Sequence, residues 1–152
     1  MTVKTTWTLF FDGACKPTNP GKYACFGWVL KDPTGKMRAT GKGLLVPTEN
    51  ITNNVAEYGA LEEGLKYVIK SGLVIPRLLC LGDSKLVVMT VAGKWRAKKA
   101  HLLLMRERVR VLLKGLISWE MKWISREENE EADVLSQGVR LRCGAHSTVV
   151  VY

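Results

Sequence analysis

Trp7, Leu9 and Phe11 alternate with Thr6, Thr8 and Phe10, the period of two expected of a strand with one buried face. Asp12 stands at the C-terminal end of this strand and Gly13 opens a turn. After the turn Asn19-Pro20-Gly21, Tyr23 to Lys31 reads as a second strand. After Asp32-Pro33-Thr34-Gly35, Lys36 to Val46 reads as a third, because Pro, Asp and Gly are the residues that tight turns demand. Three strands joined this closely form an antiparallel meander.

Beyond the loop at Pro47 to Asn50 the period lengthens. Tyr58, Leu61, Leu65 and Val68 recur three and four apart, which predicts a helix from Asn53, capped by Thr52 or Asn53 and closed by Gly72. Glu57 falls one turn before Leu61, on the face that packs against the sheet, where a merely solvating acid does not belong. Arg77 to Gly82 is nearly continuous in apolar residues and predicts a central strand covered on both faces; Asp83 ends it. A helix follows from Ser84 to about Ala92 and stops at Gly93. Another spans Ala100 to Leu116, with Leu103, Val109, Leu112 and Leu113 among its apolar positions. Ser118 to Ile124 alternates again and predicts the last core strand. Ser125-Arg126-Glu127-Glu128 is a capping box, starting a helix that ends near Gln137-Gly138 and carries Asn129 and Asp133 on one face. For the tail after residue 138, an edge strand and a loose end both remain open.

At 152 residues the chain is expected to form one domain, residues 1–138, followed by a tail at 139–152. Lysines and arginines number 23 against 14 acids, a net charge of +9, which favours a polyanionic partner. The excess is local: positions 94, 96, 98, 99, 106, 108, 110 and 114 are basic, and Glu107 is the one acid among them. Cys15, Cys25, Cys80 and Cys143 are scattered, with no spacing that suggests zinc; they read as thiols in a reducing cytosol, with a bridge such as Cys15 to Cys143 left open. Neither a leader nor a membrane-length apolar run is visible, so the expectation is a soluble, cytoplasmic protein.

Four acids attract attention: Asp12 and Asp83 at strand ends, Glu57 in the first long helix and Asp133 in the last. A helical crossover makes the strands ending in Asp12 and Asp83 plausible parallel neighbours, and ligands of such sheets bind beyond the strand C-termini. Carboxylates gathered there repel one another unless divalent cations are present, and an all-oxygen set selects Mg²⁺ or Mn²⁺.

The segments Phe11-Asp12-Gly13-Ala14, Thr52-Asn53-Asn54-Val55-Ala56-Glu57, Gly82-Asp83-Ser84 and Glu128-Asn129-Glu130-Glu131-Ala132-Asp133 together resemble the type 1 ribonuclease H family, in the family's order and at similar spacing. The resemblance implies an α/β, ribonuclease H-like fold: a five-stranded mixed sheet ordered 3-2-1-4-5 with helices on both faces. It implies an endoribonuclease that cuts the RNA strand of RNA/DNA hybrids and leaves 5′-phosphate and 3′-hydroxyl ends. Two Mg²⁺ ions, with Mn²⁺ as a substitute, would be held by Asp12, Glu57, Asp83 and Asp133, Asp12 bridging both.

For substrate contacts the resemblance implies Asn53 and Asn54, with Asn19 and the Cys15 backbone, at the minor groove and RNA sugars. Ser84, next to Asp83, is a further substrate contact that the resemblance implies. Thr52 matches a DNA-phosphate position whose usual Arg companion is Asn50 here. Trp95, Lys98 and Lys99 resemble a shortened form of the family's basic protrusion. The family's flexible-loop His is missing; Arg126 takes its place, as in a subgroup of short archaeal and bacterial members, and cannot serve as a base because guanidinium does not deprotonate. Double-stranded RNA is a further candidate substrate, and a monomer is expected. Two rival readings are a DNA-processing nuclease or resolvase of the same fold and a non-catalytic nucleic-acid-binding module.

Overall fold

The row Phe11, Gly82, Trp123 fixes the architecture, because these residues stand side by side on three parallel strands. In the computed structural model, which describes residues 5–16, 23–45, 52–141 and 149–150, they belong to β1 (Thr6–Lys16), β4 (Arg77–Gly82) and β5 (Trp119–Trp123). Strands β2 (Tyr23–Lys31) and β3 (Met37–Leu45) complete an antiparallel meander with β1. The sheet therefore runs β5-β4-β1-β2-β3, the expected 3-2-1-4-5 order, and a two-residue β6 (Val149–Val150) pairs parallel to β3 at Leu44 and Leu45.

Helices α1 (Asn53–Lys70), α2 (Lys85–Val91) and α3 (Ala100–Lys114) pack together over one face. Beneath them lies a core built on Leu9, Phe11, Trp28, Leu61, Leu65 and Leu78. Helix α4 (Glu130–Leu141), preceded by one 3₁₀ turn (Glu127–Asn129), covers the other face over β1, β2 and β3. Thr52 caps α1, its hydroxyl accepting from the Val55 amide at 3.4 Å. Gly72 and Gly93, with φ of 73° and 83°, follow the ends of α1 and α2. Among the described residues no helix is long and apolar enough to cross a membrane.

Several local expectations change. Strand β1 does not end at Asp12, and Gly13 opens no turn: pairing with β2 continues to Lys16↔Tyr23, while pairing with β4 stops at Phe11↔Gly82. Asp12 is thus terminal on one side of its strand only. Strand β4 is covered fully on one face, through Leu78 and Cys80, and only partly at Leu79 and Leu81, since α4 lies over the other strands. In α3 the buried residues are Leu102, Met105, Val109 and Leu113, whereas Leu103 is exposed. Helix α4 passes through Gly138 to Leu141; a glycine inside a helix costs about 1 kcal/mol, a penalty rather than a stop.

Two glycines in the sheet are steric requirements. A Cβ on Gly13 would stand 2.3 Å from the Ala56 carbonyl carbon of α1, and one on Gly27 would stand 2.7 Å from the Ala132 carbonyl oxygen of α4. These absent side chains let a helix approach each face closely. Gly13→Ala is expected to lower unfolding free energy by about 2–4 kcal/mol in urea titrations, because the clash is with backbone. Gly35→Ala, in open space at φ 85°, is expected to lose only about 1 kcal/mol, from backbone strain.

Candidate active site

Where β4 stops and β1 runs on, Asp12 and Asp83 emerge one residue past the Phe11↔Gly82 pair. Alternation along β1 turns Asp12 away from the Leu9 and Phe11 side, toward the face that carries α4 and Asp133. Glu57 arrives from the opposite face: the contact at Gly13 brings α1 close enough for the Gly13 amide to donate to the Glu57 carboxylate. Carboxylate oxygens of Asp12, Glu57 and Asp83 lie within 4.8 Å of one another. Asp133 is not in that mutual set, but its carboxyl sits near enough to Asp12 to act on it by hydrogen bond and charge.

Asp12 and Glu57 are only 4% and 5% exposed, so their charges are poorly hydrated. Burial first, then the charges of Asp83 and Asp133, push Asp12 up to about 7, even though a hydrogen bond from Glu57 works the other way. Glu57 is held well above the usual carboxylate range by burial and by the neighbouring Asp12 and Asp83, the Gly13 amide opposing. One Glu57 oxygen, Oε2, is buried with no hydrogen-bond partner among the described residues. Buried acids crowded together, with an oxygen left over and no nitrogen or sulfur donor among them, suit a hard divalent cation.

A buried amide that sequence reasoning placed only by its spacing completes the frame. Asn129, 1% exposed, donates through Nδ2 to the Phe11 carbonyl at 2.9 Å and to Asp83 Oδ2 at 3.4 Å. It clasps the backbone next to Asp12 and the Asp83 carboxylate, one helical turn before Asp133. The capping box holds it in place: Ser125 and Glu128 exchange hydrogen bonds of 2.9 to 3.4 Å. Trp123, by its period an ordinary strand residue, donates its indole N–H to the Asp83 carbonyl at 3.1 Å.

Around the acids lies an open cleft of about 350 Å³, lined in part by Asn53, Asn54, Ser84, Trp123 and Arg126. The Asn53 side chain accepts from the Cys15 amide at 2.9 Å and ties the start of α1 to β1. The Ser84 hydroxyl caps α2, accepting from Val87 at 3.3 Å. Arg126 is exposed at the lip. Trp95, Lys98 and Lys99 lie outside this cleft: with Thr52, Asn54, Arg96 and His101 they line a separate groove of about 510 Å³. Asn54 borders both. Asn19, the remaining expected contact, lies outside the described residues, as does Cys143; Cys15, Cys25 and Cys80 are buried.

Residues 10–139 match the reverse transcriptase-like family. The fold is similar to that of ribonuclease H1 from the halophilic archaeon Halobacterium salinarum NRC-1, with a TM-score of 0.80 and 34% identity over 89% of this chain and 97% of that one. The chain belongs to the type 1 ribonuclease H family. LC11-RNase H1, solved in complex with an RNA/DNA hybrid, is similar to this family member with a TM-score of 0.78 and 27% identity, over 87% of this chain and 94% of that one. The bifunctional protein Rv2228c of Mycobacterium tuberculosis is 36% identical over 85 residues, 56% of this chain. That stretch is 23% of Rv2228c, so the match spans about a quarter of this curated relative.

The raised acids make the metal-free ribonuclease H fold sensitive to pH. Asp12 ionises near 3.8 when unfolded and near 7 when folded, so the folded state binds the extra proton between those values and stability falls as pH rises from about 4 to about 7. Thermal melts in EDTA should show this decline. Asp12→Asn should flatten it and raise stability at pH 8 by about 1–3 kcal/mol, whereas added Mg²⁺ should stabilise the parent more than the variant. A variant no more stable than its parent at pH 8 would contradict the assigned electrostatics.

Proposed function

We propose that this protein hydrolyses the RNA strand of RNA/DNA hybrids, using two divalent ions, Mg²⁺ foremost, and leaving 5′-phosphate and 3′-hydroxyl ends. The observation that carries the reading is the pair of grooves meeting at Asn54, one lined by acids and one by Trp95, Lys98 and Lys99. A duplex laid across that ridge offers one backbone to each groove. The strand over the acids is the one to be cut, and the strand over the lysines is the DNA. Asn53 and Asn54 then face the wide, shallow minor groove, where the RNA 2′-hydroxyls mark the strand.

Asp12, Glu57, Asp83 and Asp133 would hold the ions. Bound there, the ions supply a water acidified to near neutral pH and charge compensation for the departing oxygen. The chain's own part is to keep four carboxylates in place. Burial raises the free energy of the unneutralised charge on Asp12 and Glu57, the Gly13 amide orients Glu57, and Asn129 fixes Asp83 against β1. Arg126, exposed beside the cleft, serves as a phosphate contact that eases product departure. Thr52 lines the DNA-side groove and caps α1 with the same residue. A pure binding module gains nothing from acids whose ionisation its own fold opposes. We place the reaction in the cytoplasm, in keeping with Cys80 fully buried as a thiol.

A gel assay on a hybrid labelled in its RNA strand tests the reading. Mg²⁺ should produce RNA fragments and EDTA none; single-stranded RNA and duplex DNA should survive. Asp12→Asn should abolish cleavage and leave hybrid binding within about three-fold, since an uncharged isostere removes only the metal ligand. Lys98→Ala with Lys99→Ala should weaken hybrid binding and reduce the slope of its salt dependence by about one to two. Mg²⁺-dependent cleavage that survives Asp12→Asn would refute the proposal.

A further inference from the structure

Strand β5 ends on Trp123, which by alternation shares a face with the buried Met121, yet 43% of the Trp123 surface is exposed. Two contacts fix the ring. Its N–H donates to the Asp83 carbonyl at 3.1 Å, and the Lys85 ammonium stands 5.1 Å from the ring centroid. The ring lines the acid cleft together with Arg126 and takes no part in lining the basic groove. A single exposed aromatic is ordinary. An indole pinned by its polar edge to the backbone of a clustered acid, with a cation over its face, is a preset platform for a nucleotide.

The ion pairs of the chain sharpen the contrast. Arg38, Arg77, Arg106, Arg108, Lys31 and Lys66 each contact a carboxylate. Among the described residues, Lys85 and Arg126 have no such partner, like Lys94, Arg96, Lys98 and Lys99 of the basic loop, but Arg126 borders the cleft lined by Glu57 and Asp83, and Lys85 lies over the Trp123 ring of that cleft. Cations left without counter-charge next to acids are placed to meet an anion that comes from outside.

Resting on the ribonuclease H reading, we infer that Trp123 and Lys85 form a binding subsite for the RNA backbone immediately beside the bond that is cut. The indole packs against a ribose and the Lys85 ammonium neutralises the adjoining phosphate. The subsite belongs to the RNA strand because it opens into the acid cleft. The DNA strand takes the groove of Trp95, Lys98 and Lys99.

Steady-state cleavage of a fluorescent hybrid by Lys85→Ala, Lys85→Arg, Trp123→Leu and Trp123→Phe tests this, with the Mn²⁺-induced melting shift measured for each. Lys85→Ala should raise KM about five-fold, keep kcat within about two-fold and lower the salt slope by about one; Lys85→Arg should restore all three. Trp123→Leu should raise KM about five-fold or more and retain the Mn²⁺ shift, and Trp123→Phe, which keeps a ring but loses the N–H, should retain most of the affinity. Parental KM and salt slope in both Lys85→Ala and Trp123→Leu would overturn the subsite. So would loss of the Mn²⁺ shift in both tryptophan variants at unchanged KM, because the indole would then be only a strut for Asp83. A parent protein that cuts no hybrid is a separate result: it removes the ribonuclease H reading and the subsite with it.

Discussion

Two carboxyl groups, Asp12 and Glu57, are buried against each other where β4 stops and β1 runs on, and the elements around them hold them there. Bringing Glu57 from one face to meet Asp12 on the other requires α1 to touch β1, which only a residue without a side chain at position 13 allows. Presenting Asp83 beside them requires β4 to end level with Phe11 while β1 continues. Keeping the group together against its own repulsion requires hydrogen bonds from outside it, and the Gly13 amide and Asn129 supply them. Each device would be a poor choice in a protein selected for stability alone. Their coincidence around like charges points to a cation that relieves the repulsion when bound.

Element types were legible because each rests on a local signal, whereas the full strand order followed from the family resemblance. The period-two runs, the Thr52 cap, the Ser125 to Glu128 box and the glycines after α1 and α2 all act within a few residues. The acids were legible because four family-like segments carry them in order, and Glu57 also because it lies on a packed helical face. What stayed hidden depends on partners distant in sequence. Gly13 reads as a turn residue when only its neighbours are considered; its function is set by Ala56, across the interface with α1. The apolar run of β4 suggests cover on both faces, but cover depends on how far α4 reaches. Leu103 and Leu102 are adjacent and chemically alike, and only the docking angle of α3 decides which is buried.

The basic charge likewise divides in a way composition cannot show. Eight cationic residues between 94 and 114 suggest one polyanion-binding surface. The fold splits them: Arg106 and Arg110 donate to the carbonyls of Thr90 and Val91, and Arg108 makes two hydrogen bonds to Glu62 at 3.0 and 3.3 Å. Those arginines lock α3 onto α2 and α1. Lys98 and Lys99, in the loop before α3, line the groove. Charge that stabilises the scaffold and charge open to a ligand thus sit on one short stretch, separated by where the helix begins.

That division bears on how a strand is selected. A groove of lysines attracts any phosphate backbone, DNA or RNA, because the attraction is to charge alone. The acid cleft does the opposite until cations occupy it, so long-range electrostatics by themselves orient a duplex with one backbone toward Trp95, Lys98 and Lys99. They do not say which backbone. On the proposed reading the choice falls to short-range groups on the ridge, where Asn53 and Asn54 would sense a 2′-hydroxyl; Asn53 is held there by its bond from the Cys15 amide. Orientation by charge and identity by hydrogen bonding are separate tasks on separate residues. Asn54 borders both grooves, so on the proposed reading the strand it identifies as RNA is the one lying over the acids.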